Sequence, residues 1–399
     1  MKSYDFVIAG AGIVGLTIAR ALAKRRCGSI LVLEKEATLG CHASGRNSGV
    51  LHAGIYYEPS TLKAKVCVEG ARMLLDYASQ NNIRFRKSGK VIVASDPVSV
   101  SSIDTLYERA VLNGVQVEKI SPSRLKEIEP EAQTIDQALF SPNTAVIDAH
   151  QVLSTLEKEI GSLGVQLVKS SPVYALQPDR RVVQTKNDYV QYGHFINAAG
   201  LHADRIAHWM GVGKQYRIMP FKGIYRKLRP VAAKRFRGSI YPVPNLKMPF
   251  LGVHLTKTAS EDVLVGPTAI PAFGRENYGT FDGLSLKESP IIIRMLLQMV
   301  AQNQDGFLNL VKVESMKFLG NGFLKRVQSL APSIKSTDFI PGEIKVGLRA
   351  QLVDCRKMRL EMDFVLESGS HSTHILNAIS PAFTASFAFA NLVVDRLTA

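Results

Sequence analysis

The sequence predicts an α/β fold that opens on a dinucleotide-binding unit and continues into at least one further domain. Three observations predict it. Residues 4–9 form a short apolar run that leads straight into a glycine cluster. A second apolar run, residues 30–33, ends in an acid about 20 residues past those glycines. The chain has 399 residues, 46% of them hydrophobic and 21% charged, enough for two or three domains with filled cores.

Composition excludes collagen-like, low-complexity and wholly disordered classes. The cysteines Cys27, Cys41, Cys67 and Cys355 make no CxxC pair and no metal-ligand spacing, so free thiols in a reducing compartment and no bound metal are expected. The first residues lack the cationic head and small-residue cleavage site of a secretory signal, which makes cytoplasmic placement the expectation. Residues 375–394 are the most lipid-like stretch, but Asn377, Pro381 and Asn391 interrupt it, so a core helix is expected rather than a membrane span. The formal net charge is +15. Its densest source is Lys214, Arg217, Lys222, Arg226, Lys227, Arg229, Lys234, Arg235 and Arg237, a run without one acid. A solvated basic face is the first expectation for this run. Peripheral contact with the inner face of the cell membrane comes second, and nucleic acid is the least favoured.

Residues 4–9 read as a strand, Gly10-Ala11-Gly12-Ile13-Val14-Gly15 as a tight turn, and the residues to Lys24 as a helix. Gly10 permits the turn, Gly12 lets a pyrophosphate approach the backbone, and Gly15 lets helix pack on strand, while the helix N-terminus offers positive potential to phosphates. Glu34 closes the second strand as a ribose-binding acid, followed by Lys35. An acid there disfavours the 2′-phosphate of NADP and leaves FAD or NAD. A Rossmann-like unit is thus complete in the first 35 residues. Residues 39–57 follow as a loop crowded with Gly, Ser, Asn and His, the composition of a functional loop. Within it Ser44, Arg46, Asn47, Ser48, Gly49 and Val50 are candidate cofactor contacts, and His52 titrates near neutral pH. A later strand, residues 192–197, runs into Ala198-Ala199-Gly200, whose small side chains permit close cofactor approach. Residues 91–94, 251–256 and 263–265 read as strands, with Leu251, Val253 and Leu255 on one face and Gly252, His254 and Thr256 on the other.

Several ordered stretches together carry a resemblance: residues 47–57 (Asn-Ser-Gly-Val-Leu-His-Ala-Gly-Ile-Tyr-Tyr), 60–64, 220–225, 240–244, 249–256, 347–351 (Gly-Leu-Arg-Ala-Gln) and 377–382 (Asn-Ala-Ile-Ser-Pro-Ala). Through them the chain resembles the FAD-dependent oxidoreductases of the glycine oxidase and D-amino-acid oxidase superfamily, and within it the L-2-hydroxyglutarate dehydrogenases and oxidases. The resemblance implies a Rossmann-like FAD-binding domain of the D-amino-acid oxidase type, drawn from residues 1–83, 149–217 and 340–399. It also implies an inserted α+β substrate domain, residues 84–148 and 218–339, on a mostly antiparallel sheet. Val173, Ala199, Gly200, Pro381 and Ala382 join the expected FAD contacts. Where the family carries His-Gln-Thr-Gly-His-Asn, this chain has His42-Ala43-Ser44-Gly45-Arg46-Asn47, which excludes a histidine-tethered flavin at Arg46. Residues 355–362 depart from the family pattern as well.

The implied reaction takes an L-2-hydroxy acid, L-2-hydroxyglutarate or one like it, to the 2-oxo acid by hydride transfer to flavin, with oxygen or a quinone as acceptor. An alcohol needs a base, because its proton is far less acidic than that of an ammonium. His52 is the first candidate and His254 the second. Arg349 offers the planar, two-pronged donor that an α-carboxylate wants, the role of the superfamily arginine. Tyr56, Tyr57 and Tyr225 are candidate hydroxyl donors to substrate. Lys222 and Lys63 are both eligible for a second carboxylate. The free amides of a final helix starting at residues 380–384 would face the reduced ring. Two alternatives remain open: an amine oxidase acting on glycine, sarcosine or D-amino acids, and a basic flavin-fold protein that binds membrane or nucleic acid.

Overall fold

The computed structural model describes residues 1–246, 250–316 and 321–398; Pro249, the first residue of one family-like stretch, lies outside them. In chain order the elements that build the site are β1 (Lys2–Ala9), α1 (Ile13–Lys24), β2 (Ile30–Leu33), α2 (Leu62–Gln80), β3 (Lys90–Val93), β4 (Gln166–Val168) and β5 (Tyr189–Asn197). They continue with β6 (Tyr216–Leu228), β7 (Ser239–Pro242), β8 (His254–Lys257), β9 (Val263–Gly266), α3 (Ser289–Gln302), β10 (Phe339–Asp354), β11 (Ser372–Ile375) and α4 (Ala382–Thr398).

The described residues form two large sheets. The first is an open sheet in which β1 pairs in parallel with β2 and β5, β2 with β4, and β5 with β11. Parallel strands covered on both faces read as continuous apolar runs, which is why Val7, Ile8 and Ala9 and all of β2 are buried. On one face α1 lays down Ile13, Leu16 and Leu22 against α4 and the helix Ala149–Ser162. Gly10 makes the turn possible: its φ is +101°, and a Cβ there would meet the Ala198 carbonyl oxygen at 2.6 Å. Expectation and structure agree on this mixed α/β architecture.

The second sheet runs in the order β10, β6, β9, β8, β7, β3 and is antiparallel apart from the β3–β7 pair. Its longest ladder joins β6 to β10, from Tyr216 opposite Asp354 to Leu228 opposite Phe339. The expected boundary at residue 340 therefore falls inside a strand of this sheet, because β10 continues that ladder to Asp354 before the chain returns to the first sheet at β11. The strand expected over residues 251–256 starts only at His254; Gly252, at φ +75°, turns the preceding residues out of the ladder. The lipid-like stretch divides as well: Ile375 ends β11 and α4 begins at Ala382. Among the described residues no helix is long and apolar enough to cross a membrane.

The basic run is spread over several elements: Arg217, Lys222, Arg226 and Lys227 alternate along β6, Lys214 precedes it, and Arg229, Lys234, Arg235 and Arg237 follow it, with six of the nine exposed and some of the side chains paired locally. Arg226 covers the Phe323 ring at 4.5 Å, Lys227 reaches Asp262 at 3.1 Å, and Arg235 reaches Asp338 at 2.9 Å.

Candidate active site

A continuous cavity of about 590 Å³ runs from the C-terminal ends of β1, β2 and β5 to the inner face of the second sheet. Ligands of open α/β sheets bind at this end of the strands. At its nucleotide end Gly10, Gly12, Ile13 and Val14 form the wall, with Val173, Ala199 and Gly200 across from them. Gly15 does not reach the cavity; a Cβ there would strike the Gly10 carbonyl, so it serves helix packing. Ser44 Oγ accepts the Ile13 amide at 3.0 Å. The Glu34 carboxylate also lines the wall, accepting the Ala11 and Glu36 amides at 2.8 and 2.9 Å. A carboxylate held by backbone amides at the tip of β2 keeps lone pairs for ribose hydroxyls, and the small residues leave backbone exposed to a pyrophosphate. The cradle fits a dinucleotide.

The rim carries an ion-pair network. Lys35 binds Glu36 and Glu276, His42 bridges Glu36 (2.8 Å) and the Tyr278 hydroxyl (2.7 Å), and His202 reaches Glu276 at 3.0 Å. The hydrogen bond from His202, with Lys35 beside it, holds the Glu276 carboxyl far below the usual carboxylate range. Glu36, His42 and Glu276 bring metal-type ligand atoms within 4.8 Å of one another, but each is already bonded to a protein group. Next along the cavity, Arg46 donates to the Cys41 carbonyl at 2.6 Å and lies 4.1 Å from the Tyr278 ring centroid. Asn47 accepts the Gly49 amide at 2.8 Å, and Asn47, Ser48, Gly49 and Val50 line the wall.

At the far end His52, Tyr225, His254, Arg349, Pro381 and Ala382 come together, joined by Tyr241, Phe250 and Ser380. His52 stands just past the strand Val50–Leu51; its amide donates to Thr384 Oγ1 at 3.1 Å and its Nε2 lies 3.3 Å from Ser380 Oγ. The Nδ1 atom is buried without a hydrogen-bond partner. Burial, then the charges of Lys90 and His254, push its protonation down to about 3, so the ring is neutral at physiological pH. His254 stacks on Tyr241 at 3.9 Å and 15° and fixes its Nδ1 on the Gly252 carbonyl at 2.9 Å. Arg349, on β10, donates Nε to Gln351 at 3.1 Å and lies 5.1 Å from the Phe250 ring. Burial draws the guanidinium down to about 10, which still leaves it charged. Among the described residues no carboxylate lies within ion-pair reach of it.

Besides Gly15, four sequence candidates, all proposed for the substrate, do not line the cavity. Lys222 turns away, donating to the Gly279 carbonyl at 2.6 Å and Asn277 Oδ1 at 3.2 Å. Tyr56 is buried behind the wall, Tyr57 is half-buried against Arg349 and Ser380 without lining the cavity itself, and Lys63 donates to the Met362 carbonyl. Strand alternation directs Lys222 outward while Phe221, Gly223 and Tyr225 of the same strand line the cavity, which a motif read as a string cannot show. Sequence reasoning assigned no role to Tyr241 or Phe250, and to Ser380 only a place at the start of the final helix, although all three belong to the family-like stretches. It also passed over Lys90, whose only signal is a charge at the head of an apolar strand.

A family model described as FAD dependent oxidoreductase matches residues 5–396. The chain is 36% identical to the mitochondrial L-2-hydroxyglutarate dehydrogenase of Homo sapiens, over 99% of this chain and 89% of that protein. It is 33% identical to the L-2-hydroxyglutarate dehydrogenase of Salmonella houtenae, over 99% and 93%. Among solved structures, an L-alpha-glycerophosphate oxidase from Mycoplasma pneumoniae with FAD bound superposes with a TM-score of 0.80 at 21% identity, covering 100% of this chain and 96% of that one. That last likeness is one of fold.

Proposed function

Since the chain belongs to the FAD dependent oxidoreductase family, we propose that its cavity oxidises L-2-hydroxyglutarate, or a closely similar L-2-hydroxy acid, to the 2-oxo acid. The observation that carries this reading is Arg349: a half-buried, charged guanidinium on the cavity wall, with no carboxylate among the described residues in ion-pair reach, in a cavity that a neutral imidazole also lines. A partly desolvated cation of that kind calls for an anionic ligand. FAD, when bound, supplies the acceptor for the hydride that leaves the hydroxyl-bearing carbon.

The chain's own groups do the rest. Arg349 holds the α-carboxylate through paired N–H donors and so fixes the neighbouring carbon. Phe250, beside the guanidinium, and Tyr241, stacked on His254, are apolar walls that exclude water and strengthen every charge interaction in the site. His52 takes the hydroxyl proton. With Nδ1 buried behind the wall and Nε2 beside Ser380 Oγ on the cavity side, Nε2 is the atom that accepts, and the negative charge of a bound diacid raises the ring's proton affinity as turnover begins. Electrons leave to oxygen or a quinone. Peripheral contact with anionic lipid is part of the same proposal. It is supported by Phe281, Leu286, Ile293 and Leu297, 80%, 92%, 45% and 66% exposed around α3, with Lys287 and Arg294 among them.

Anaerobic titration of the flavin absorbance against a panel of 2-hydroxy and amino acids tests the reading. Bleaching by L-2-hydroxyglutarate is the expected result. A flavin that stays oxidised with every hydroxy acid but is reduced by an amino acid, releasing ammonia, sinks it.

A further inference from the structure

The dinucleotide cradle lies at the C-terminal end of β1, which sits between β2 and β5 in the first sheet. Its two banks come from the segments that follow those neighbours: Lys35, Glu36, His42 and Arg46 past β2, Leu201 and His202 past β5, all on the cavity wall. One segment from the second sheet's side of the molecule reaches both banks. Residues 274–283 leave that sheet after the strand Ile270–Pro271 and run toward α3. A single oxygen of Glu276, Oε1, accepts from Lys35 Nζ at 2.8 Å on one bank and meets His202 Nε2 at 3.0 Å on the other. The Tyr278 hydroxyl meets His42 Nδ1 at 2.7 Å, and the Arg46 guanidinium lies 4.1 Å from the centroid of the Tyr278 ring. Arg46 cannot tether a flavin as a histidine could; it packs on this segment instead.

The segment is built to hold one shape. A Cβ on Gly274 would meet the Gly283 carbonyl oxygen at 2.1 Å, so the chain closes tightly at its base. Asn277, 2% exposed, donates to the carbonyls of Gly279 at 3.1 Å and Asp282 at 2.6 Å, and Lys222 of β6 braces the same turn. Arg275 roots it among buried carboxylates, donating to Asp204 at 3.0 Å and to Glu288 at 2.6 Å. The clasp is more open to water: the side chain of Glu276 is 42% exposed and that of Lys35 29%. A fixed root and a wetter clasp are the parts of a fastening that can open.

The geometry points to residues 274–283 as a strap that retains FAD: rooted at Arg275 and clasped through Glu276 and Tyr278, it holds the two banks together and must unfasten before the cofactor can leave. No residue of the strap lines the cavity, so it acts by closure and not by touching FAD. The proposal rests on FAD filling the cradle and is independent of the substrate argued above.

The test uses the FAD-bound protein as wild type, E276Q and Y278F. Exchange of bound FAD against an excess of isotope-labelled FAD gives the release rate. Amide exchange read by mass spectrometry reports residues 274–283 and the β1–α1 turn separately. E276Q removes the charge at the centre of the clasp, and release should quicken about tenfold; Y278F loses one neutral hydrogen bond but keeps the ring, and release should quicken roughly threefold. Amide protection of the strap should fall in step while the β1–α1 turn keeps its own. A strap that loosens without faster release, faster release from a strap still protected, or a turn that loosens as much as the strap overturns the proposal, and so does wild-type behaviour of both variants. If E276Q does not fold, Y278F decides by the same two measurements. Neither readout needs turnover, so a flavin that no 2-hydroxy acid bleaches would sink the functional reading and leave this test intact.

Discussion

Arg349 and His52 divide the labour at the scale of single residues, and their substitutions should separate binding from chemistry. In R349K the positive charge remains but the two parallel donors are lost, so kcat/KM for L-2-hydroxyglutarate should fall on the order of 100-fold, mainly through KM, with the flavin spectrum retained. Unchanged steady-state kinetics would take Arg349 out of the substrate site. In H52A the rate of flavin reduction should drop roughly 10²- to 10⁴-fold, the range for removing a general base, while substrate still perturbs the flavin spectrum with near-normal affinity. A normal reduction rate would transfer the role to His254. Residue types with one plain chemical use were legible from sequence: Arg349, His52 and Glu34 all reach the cavity. Lys222 and Lys63 show the opposite case. A long flexible ammonium satisfies itself on whatever carbonyl lies nearby, and that choice is made by the Gly279 and Met362 backbones, far away in sequence.

The β1–α1 turn is the element on which cofactor retention depends. At Gly10 a Cβ would meet backbone at 2.6 Å, and the φ of +101° is one that L side chains avoid, so G10A must displace either the turn or the Ala198 segment across the cavity. FAD affinity should weaken by about tenfold or more, read as a lower ratio of flavin to protein absorbance after gel filtration; a full complement of FAD in G10A would show that the cradle tolerates the side chain. This element was readable because its signals are local: two apolar runs, three glycines and an acid in fixed order. The end of β8 was not, since Gly252 interrupts an apolar alternation that otherwise reads as strand. The α3 face is a second case of information held outside any motif. Ile293 and Leu297 look like core residues in the sequence, yet the helix turns them outward while Ile292, Met295 and Met299 fill the interior. Binding to vesicles containing anionic phospholipid should fall roughly tenfold in the L286D/L297D double variant and be reduced by salt. Equal sedimentation of both proteins with neutral and anionic vesicles would remove the lipid contact.

Across the whole molecule the second sheet is closed by a long-range ladder, and no local pattern announces that β10 pairs with β6 over a separation of more than 100 residues. Sequence periodicity gave strands; their partners are decided by which apolar faces fit together in three dimensions. The return of the chain from β10 to β11 also brings buried bases together at one seam. On β11, His374 is fully buried; its Nδ1 lies 3.1 Å from Asn197 Nδ2 and its Nε2 3.1 Å from Ser372 Oγ, an arrangement that requires Nδ1 to accept and therefore to carry no proton. Burial, then the nearby His194, lowers its protonation to about 4, and burial, then His371, lowers His194 to about 4 as well. Both are neutral in the folded chain where the unfolded chain, at 6.5, would already bind protons. Stability contributed by such groups is complete above the unfolded value and declines as pH falls from about 6.5 to 4, by on the order of 3 kcal/mol for a fully buried ring at the acid limit. Glu276, held below the carboxylate range by His202 and Lys35, adds a loss of the same sign below its unfolded value of 4.5. The urea midpoint of the FAD-bound protein should therefore fall steeply between pH 6.5 and 4, with β11 and its neighbour β5 losing amide protection before α1. H374Q, which keeps a neutral hydrogen-bonding side chain that cannot take up a proton, should flatten the upper part of that slope; an unchanged slope in H374Q would mean that the seam between β5 and β11 does not set the acid limit of the fold.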